Sequence, residues 1–305
     1  MNIVVVGSSN TDMIIKVSQL PAPGETVLGG QFIRAAGGKG ANQAVAAARA
    51  GGKVTFVARV GDDMFGNSAI DGFKSDGINV DHVVKDAEAP SGVAQIMVAD
   101  DGENCIAVAS GANSNLSPQD IDLAINAIGK ADILLTQLET PIPTIIRAVE
   151  LAKSFDKKVI LNPAPAHPLP DDLLTNISVI TPNETEAALL TGVTVTDEES
   201  AARAALVLIG KGIESVIITM GSKGAYVHHN NEGYLVPGFE VDAVDTTAAG
   251  DTFNGALAVR LSQGEHFRDA VIFANAAAAL SVTRVGAQPS VPILSEVNAF
   301  LNERR

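Results

Sequence analysis

The chain has 305 residues, 46% of them apolar but only 4% aromatic and none of them Trp, which allows a large aliphatic core in one or two domains. A formal net charge of −14 argues against nonspecific binding to nucleic acid or anionic membranes, and no apolar run reaches the ~20 residues of a membrane-spanning helix. The single cysteine, Cys105, excludes an internal disulfide, suits a reducing compartment and is expected to be a small buried hydrophobe. The first residues run straight into a strand pattern without a basic segment before it, so no signal peptide is expected and the protein is expected to be cytoplasmic.

In chain order, a strand at 3–6 is followed by two strand-like stretches, 13–17 and 27–33, with no helix between them. A helix at 41–50, a strand at 54–57 and a helix at 65–75 come next. A second strand-like pair, 92–98 and 105–109, brackets Asp100-Asp101-Gly102-Glu103-Asn104, a hairpin turn by composition. Helices at 118–128, 142–154, 184–191 and 198–209 then interleave with strands at 133–135, 159–161, 179–181, 216–219 and 225–228. Helices at 252–262, 269–283 and 294–302 complete the pattern. Such alternation predicts an α/β fold built on a largely parallel sheet, with the two helix-free pairs forming a small separate sheet. No linker or charge run cuts the chain, so one continuous domain over 1–305 is expected.

Chemistry is concentrated in a few windows. Asp245-Thr246-Thr247-Ala248-Ala249-Gly250-Asp251-Thr252-Phe253-Asn254-Gly255 places small residues and a carboxylate at the start of a helical pattern. Gly250 permits a tight turn, and the unpaired N–H groups of a helix start attract phosphate. On this stretch alone Asp251 reads equally well as a helix cap. A second window, Ala36-Gly37-Gly38-Lys39-Gly40-Ala41-Asn42-Gln43-Ala44, opens an alanine-rich helix. Its glycines let a ligand touch backbone beside Lys39 and Asn42, or simply make a flexible loop.

Asn10 and Asp12 lie just past the first strand, on the edge where α/β sheets bind ligands, though an Asx turn would look the same. Glu139 likewise follows a strand, or is a surface acid before Pro141. In Thr181-Pro182-Asn183-Glu184-Thr185-Glu186, Asn183 and Glu186 have the spacing of a capping box. Thr219-Met220-Gly221-Ser222-Lys223-Gly224 is a glycine turn after the strongest β run. There is no G-x-x-x-x-G-K-[ST] phosphate loop. The five histidines (His82, His167, His228, His229, His266) show no metal-ligand spacing and are expected on the surface or in turns.

Together, and in this order, the two glycine-bearing windows resemble the two signatures of the ribokinase-like (PfkB) family of carbohydrate kinases. The resemblance runs from Gly7-Ser8-Ser9-Asn10-Thr11-Asp12 to Gly286-Ala287-Gln288-Pro289-Ser290. With Asn162-Pro163-Ala164-Pro165-Ala166 and the 181–186 motif, it is nearest the ribokinase branch; fructokinases and nucleoside kinases share the first signature more loosely. It implies a mostly parallel central sheet flanked by helices on both faces, with a β-sheet lid formed by about 12–34 and 92–110. It also implies a homodimer through paired lids.

The implied reaction is ATP-dependent phosphorylation of D-ribose at O5. The resemblance makes Asp251 the general base and the backbone of Ala248, Ala249, Gly250 and Asp251 the anion hole. It places Asn10, Asp12, Gly38, Lys39, Asn42 and Glu139 around the sugar, with Lys39 also an electrostatic aid. It assigns Asn183 and Glu186 to hydrated Mg²⁺ and Thr219, Gly221, Ser222, Gly224 and Gly250 to the ATP site. Asn275 stands where many of these kinases carry His against the nucleotide. Asp245, Thr247, Ser281, Arg284, Gly286 and Ser290 match a monovalent-cation site, usually for K⁺. A kinase for another small sugar or a nucleoside is the nearest alternative, although two Tyr and no Trp offer little for an aromatic nucleoside clamp. A catalytically silent sugar- or nucleotide-binding regulator on the same fold is an alternative of another class.

Overall fold

The computed structural model describes residues 1–28, 30–101 and 103–304. Its strands are β1 (Asn2–Val6), β2 (Asn10–Val17), β3 (Gln31–Gly37), β4 (Lys53–Gly61), β5 (Asn79–Asp86), β6 (Gly92–Ala99), β7 (Asn104–Ala109), β8 (Ile133–Thr136), β9 (Lys158–Leu161), β10 (Val179–Ile180), β11 (Ser215–Thr219), β12 (Ala225–His229) and β13 (Glu232–Val236). Its helices are α1 (Lys39–Arg49), α2 (Met64–Ser75), α3 (Pro118–Leu123), α4 (Ile125–Lys130), α5 (Ile142–Ser154), α6 (Asp171–Leu174), α7 (Glu184–Thr191), α8 (Glu198–Gly210), α9 (Ala249–Ser262), α10 (Phe267–Ser281) and α11 (Leu294–Asn302).

Nine of the described strands form one sheet in the order β13-β12-β11-β10-β9-β8-β1-β4-β5. Pairing from β5 to β11 is parallel, and β12 and β13 add an antiparallel edge. Strand β1 shows why helices cover both faces. Ile3 and Val5 enter one core with α1, α9 and α10, while Val4 and Val6 enter a second with α5 and α8. From β1 the chain builds outward through β4 and β5, then returns to build the other way from β8. The crevice above β1 and β8 is therefore the topological switch point, where open α/β sheets hold ligands.

The smaller sheet runs β3-β2-β6-β7. Strand β3 starts later than the expected 27–33 stretch because the pairing that sets it runs from Lys16↔Gln31 to Asn10↔Gly37. Gly29 and Gly102, the latter within the expected hairpin turn, lie outside the described residues. Cys105 contradicts its expectation: it is exposed, since every residue of edge strand β7 faces solvent. Nor are the histidines all superficial. His228 is buried in β12, and His229 stacks on Phe267 at 4.2 Å between ring centres. The expected helix at 118–128 is two helices, split at Ala124, whose backbone (φ −91°, ψ 6°) leaves the helical range.

Candidate active site

The site is built on the loops leaving β1 and β8 and on the starts of α1 and α9. Helix α1 begins at Gly38, whose φ of +89° few other residues adopt and whose missing side chain leaves room for the backbone of Ser9 and Asn10. Glu139, three residues past β8, stands in for a helix cap. Its carboxylate accepts the Lys39 N–H at 2.9 Å and the Ser8 hydroxyl at 2.5 Å. Ser8 in turn accepts from Gly40 through its hydroxyl (3.3 Å) and from Ala41 through its carbonyl (2.8 Å). Residues 100 or more positions apart are thereby fixed at one point, and a carboxylate is placed at the positive end of α1.

Just past β1, Asn10 and Asp12 begin β2 and are both buried. Asn113 fixes the first by donating to Asn10 Oδ1 at 2.8 Å while accepting the Ser9 N–H at 2.8 Å. The Asp12 carboxylate accepts no hydrogen bond from any described residue. Burial, then Glu139 and Asp251 nearby, push its carboxyl up from 3.8 to about 6. A cavity of about 430 Å³ opens over Asn10, Asn113, Glu139, Thr140, Pro165 and His167. Burial alone would lower the Lys39 ammonium, but Asp251, Glu139 and Glu186 surround it and raise it instead.

Asp251 sits in the first turn of α9 and is itself buried. Its two oxygens are held separately: Asn42 Nδ2 donates to Oδ2 and Gln43 Nε2 to Oδ1, each at 2.9 Å. The other end of the Asn42 amide, Oδ1, is buried without a donor among the described residues. Ala248, just before the helix, lies in the left-handed region at φ +59°, strain of the kind that collects at functional turns. The Ala249 N–H is taken by the Thr246 carbonyl at 3.2 Å, and Thr252 donates to the Ala248 carbonyl at 2.8 Å. The N–H groups of Gly250 and Asp251 have no acceptor among the described residues, and the space beside Gly250 is open. An anion can be received there.

A second cavity, about 320 Å³ and mostly apolar, abuts this turn. Gly221, Ser222, Val241, Ala249, Asn275 and Ala278 are among the residues lining it. Thr219 is tied to the 181–186 motif through its N–H, which donates to the Pro182 carbonyl at 3.0 Å. Asn275 uses its amide to hold the carbonyls of Val236 and Pro237 at 3.2 Å each, so it shapes the cavity wall. A larger cavity, about 500 Å³, lies among α9, α10 and α11 and is lined by none of the predicted site residues.

Asn183 and Glu186 do form the capping box: Glu186 N–H donates to Asn183 Oδ1 at 2.8 Å, and Asn183 N–H to Glu186 Oε2 at 2.9 Å. One Glu186 oxygen is left over. Burial raises this carboxyl, opposed by the Asn183 N–H and Lys39 and reinforced by Asp251. No group of three or more His, Cys, Asp or Glu gathers as a metal cage among the described residues. The donor set fits a divalent ion that keeps its waters and takes one carboxylate and phosphate oxygens, as Mg²⁺ does.

The expected monovalent-cation residues are only partly brought together. Asp245 accepts from the Thr247 N–H (2.9 Å), the Thr247 hydroxyl (2.6 Å) and the Gly286 N–H (2.8 Å). Burial alone would raise this carboxyl, but those hydrogen bonds hold it below the usual carboxylate range. Ser281 and Ser290 spend their hydroxyls on the carbonyls of Ala278 and Ala287, and Arg284 pairs with Glu296 at 2.6 Å. Each of these hydroxyls donates its hydrogen and keeps its oxygen lone pairs, so hydroxyl and carbonyl oxygens of this segment both remain to meet a cation beside Asp245.

Sequence reasoning did not single out Asn113 or Gln137, and quoted Gln43, Asn162, Thr181 and Asn254 only within motifs. All six are buried and hydrogen-bonded around the site. The available signal was chemical: amides inside otherwise apolar helices and at strand ends.

A model of the pfkB family carbohydrate kinases matches residues 1–294. The ribokinase of Haemophilus influenzae is 48% identical over 297 residues, 97% of each chain. The deoxyribokinase of Salmonella typhimurium is 40% identical over 303 residues, 99% of each chain. Among solved structures, the Arabidopsis thaliana ribokinase complexed with ribose and ATP superposes with a TM-score of 0.91 at 34% identity over 98% of each chain.

Proposed function

The chain belongs to the pfkB family of carbohydrate kinases, and we propose that it transfers the γ-phosphoryl group of ATP to O5 of D-ribose, giving D-ribose 5-phosphate and ADP. The observation that carries this reading is the position of Asp251. It stands at the start of α9, with polar Asn10, Asp12, Asn42 and Glu139 on one side and the mostly apolar cavity beyond Ala249 on the other.

In this reading Asn10, Asp12, Asn42 and Glu139 bind and orient the sugar hydroxyls, and Gly38 admits the sugar against backbone. The cavity beyond Ala249 takes the base and ribose of ATP, with Gly221 and Ser222 on its wall and Thr219 and Gly224 at the two ends of that turn. Asp251 accepts the proton of the 5-hydroxyl as O5 bonds to phosphorus and the bond to the bridging oxygen of ADP breaks. The N–H groups of Gly250 and Asp251 receive the charge of the transferring group, with Lys39 adding positive charge on the sugar side. Glu186 and Asn183 would hold Mg²⁺, which when bound offsets phosphate charge. Asp245, with Thr247 and Gly286, would brace the 245–251 loop around K⁺.

The unit acts as one kinase domain, with β3-β2-β6-β7 as the lid. A lid-to-lid homodimer is supported by Ile15 and Phe32, cross-strand neighbours left exposed on one face of that sheet, and by its two edge strands. A cytoplasmic setting fits the exposed lone thiol of Cys105. The named deoxyribokinase relative favours 2-deoxyribose as the competing substrate.

A coupled ADP-release assay with Mg-ATP and D-ribose, 2-deoxyribose, fructose, adenosine or no sugar, each with and without K⁺, tests the assignment. Ribose should give the highest kcat/KM, and K⁺ should raise it. A lead by deoxyribose, fructose or adenosine would overturn the substrate, and no turnover with any of them the kinase reading.

A further inference from the structure

Asp251 closes a ring of buried side-chain hydrogen bonds that returns to the residue before it. Gln43 Nε2 donates to Asp251 Oδ1 at 2.9 Å and to Asn162 Oδ1 at 3.0 Å. Asn162 Nδ2 donates to the Thr181 carbonyl at 3.2 Å, and the Thr181 hydroxyl donates to Asn254 Oδ1 at 2.6 Å. Asn254 Nδ2 then donates to the Gly250 carbonyl at 2.8 Å. The ring therefore joins the carboxylate, the turn offering N–H groups to phosphate, the ends of β9 and β10, and α1.

Gln43 is the node of this ring, and its orientation is not free. The Asp251 carboxylate only accepts, so it takes the Gln43 NH₂ group and leaves Gln43 Oε1 on the other side, where Gln137 Nε2 donates to it at 2.6 Å. Gln43 is fully buried and Gln137, Asn162, Thr181 and Asn254 nearly so, so a flipped or lost amide would leave polar atoms without water or partners. From these contacts we infer that Gln43 is a positioning residue for the general base, with Gln137 holding the far end of its amide. The inference rests on Asp251 being that base.

Gln43 does not reach the sugar side in any described contact; it acts through Asp251. Replacing it should change the chemical step more than sugar binding. The test uses the full chain with Mg-ATP and D-ribose, reading kcat, KM, the pH profile from 5.5 to 9, thermal unfolding and calorimetric ribose affinity. Gln43→Leu removes the donor and should lower kcat roughly 10–100-fold with ribose KM changed less than about threefold, and move the acid limb of kcat upward. Gln43→Glu keeps the shape but sets a carboxylate against Asp251, among Asp12, Glu139 and Glu186, with the Lys39 ammonium beside them. It should be poor at pH 8 and recover as the pH falls and the new carboxyl gains a proton to donate, a trend opposite to that of Gln43→Leu.

Parent-like kcat and superimposable pH profiles in both variants would overturn the inference. So would equal losses of ribose affinity and thermal stability with no change in either profile, which is a packing role. Failure of the underlying reading would appear separately, as a parent protein that releases no ADP with any sugar.

Discussion

Asp12, which the proposed function sets against the sugar, should destabilise the folded protein. Its carboxyl titrates near 6 because burial, then Glu139 and Asp251, oppose its charge. The sign follows from proton linkage. Between 3.8 and 6 the folded state binds the proton more tightly than the unfolded chain, so stability is full below 3.8 and is lost as pH rises toward 6. At 1.36 kcal/mol per pKa unit, the cost above pH 6 is about 3 kcal/mol. Asp12→Asn removes that charge at nearly constant shape. With an unfolding entropy of about 2.1 cal/mol/K per residue, the variant should melt roughly 2–5 °C above the parent at pH 7.5 without ligand. At pH 4.5 the advantage should shrink to about 1 kcal/mol or less, because the parent carboxyl is then mostly neutral when folded. Loss of a charge-assisted hydrogen bond should meanwhile weaken ribose binding roughly 10–100-fold. Calorimetric melting at both pH values, with and without ribose, reads all of this. An Asp12→Asn protein that melts at or below the parent at pH 7.5, or a gain that does not fade toward pH 4.5, would refute the argument.

Asp251→Asn should reduce kcat by roughly 10²–10⁴ while shifting the melting temperature little, as measured by ADP release and calorimetry; parent-like turnover would remove Asp251 from the base role. Gly37→Ala should raise the ribose KM at least about tenfold, since overpacking of this size forces neighbours to move. Its new Cβ would fall 2.2 Å from Asp12 Oδ2, and an unchanged KM would show that the carboxylate has room to retreat.

The sequence carried the architecture because its signals are local. Alternating apolar runs gave β1, β8, β9 and β11, and the helical spacing at 142–154 and 294–302 matches α5 and α11. It failed where the deciding contact is distant. Nothing within Asn79–Asp86, with its mixed charges, announces β5, which is a strand because it pairs with β4. Nor does the hydropathy of β7 reveal that it is an outer edge with Cys105 in solvent. At the site, Asp251 and Asn42 stood out by chemical type beside glycines, and Glu139 by its place just after a strand. Asn113 and Gln137 did not, because a buried amide is informative only once its partners more than 90 residues away are known.

The approach of α1 to α9 explains how two windows about two hundred residues apart make one site, and it rests on Gly255. A Cβ added there would lie 2.5 Å from Ala46 Cβ, 2.6 Å from the Gln43 carbonyl and 2.7 Å from the Ala47 N. The alanines of α1 and this glycine let the two backbones come close enough for Asn42 and Gln43 to reach Asp251 at 2.9 Å. Ordinary contact would require a retreat of roughly 1 Å, enough to break both hydrogen bonds. Overpacking of this kind costs about 1–3 kcal/mol, and a misplacement of ~1 Å can lower a rate up to ~10²-fold. Gly255→Ala should therefore lower both the melting temperature and kcat. Calorimetric ribose affinity should fall less than kcat, since Asn10, Asp12 and Glu139 are carried by other elements. A Gly255→Ala enzyme with parent kcat would show that the base is aligned by something other than this helix contact.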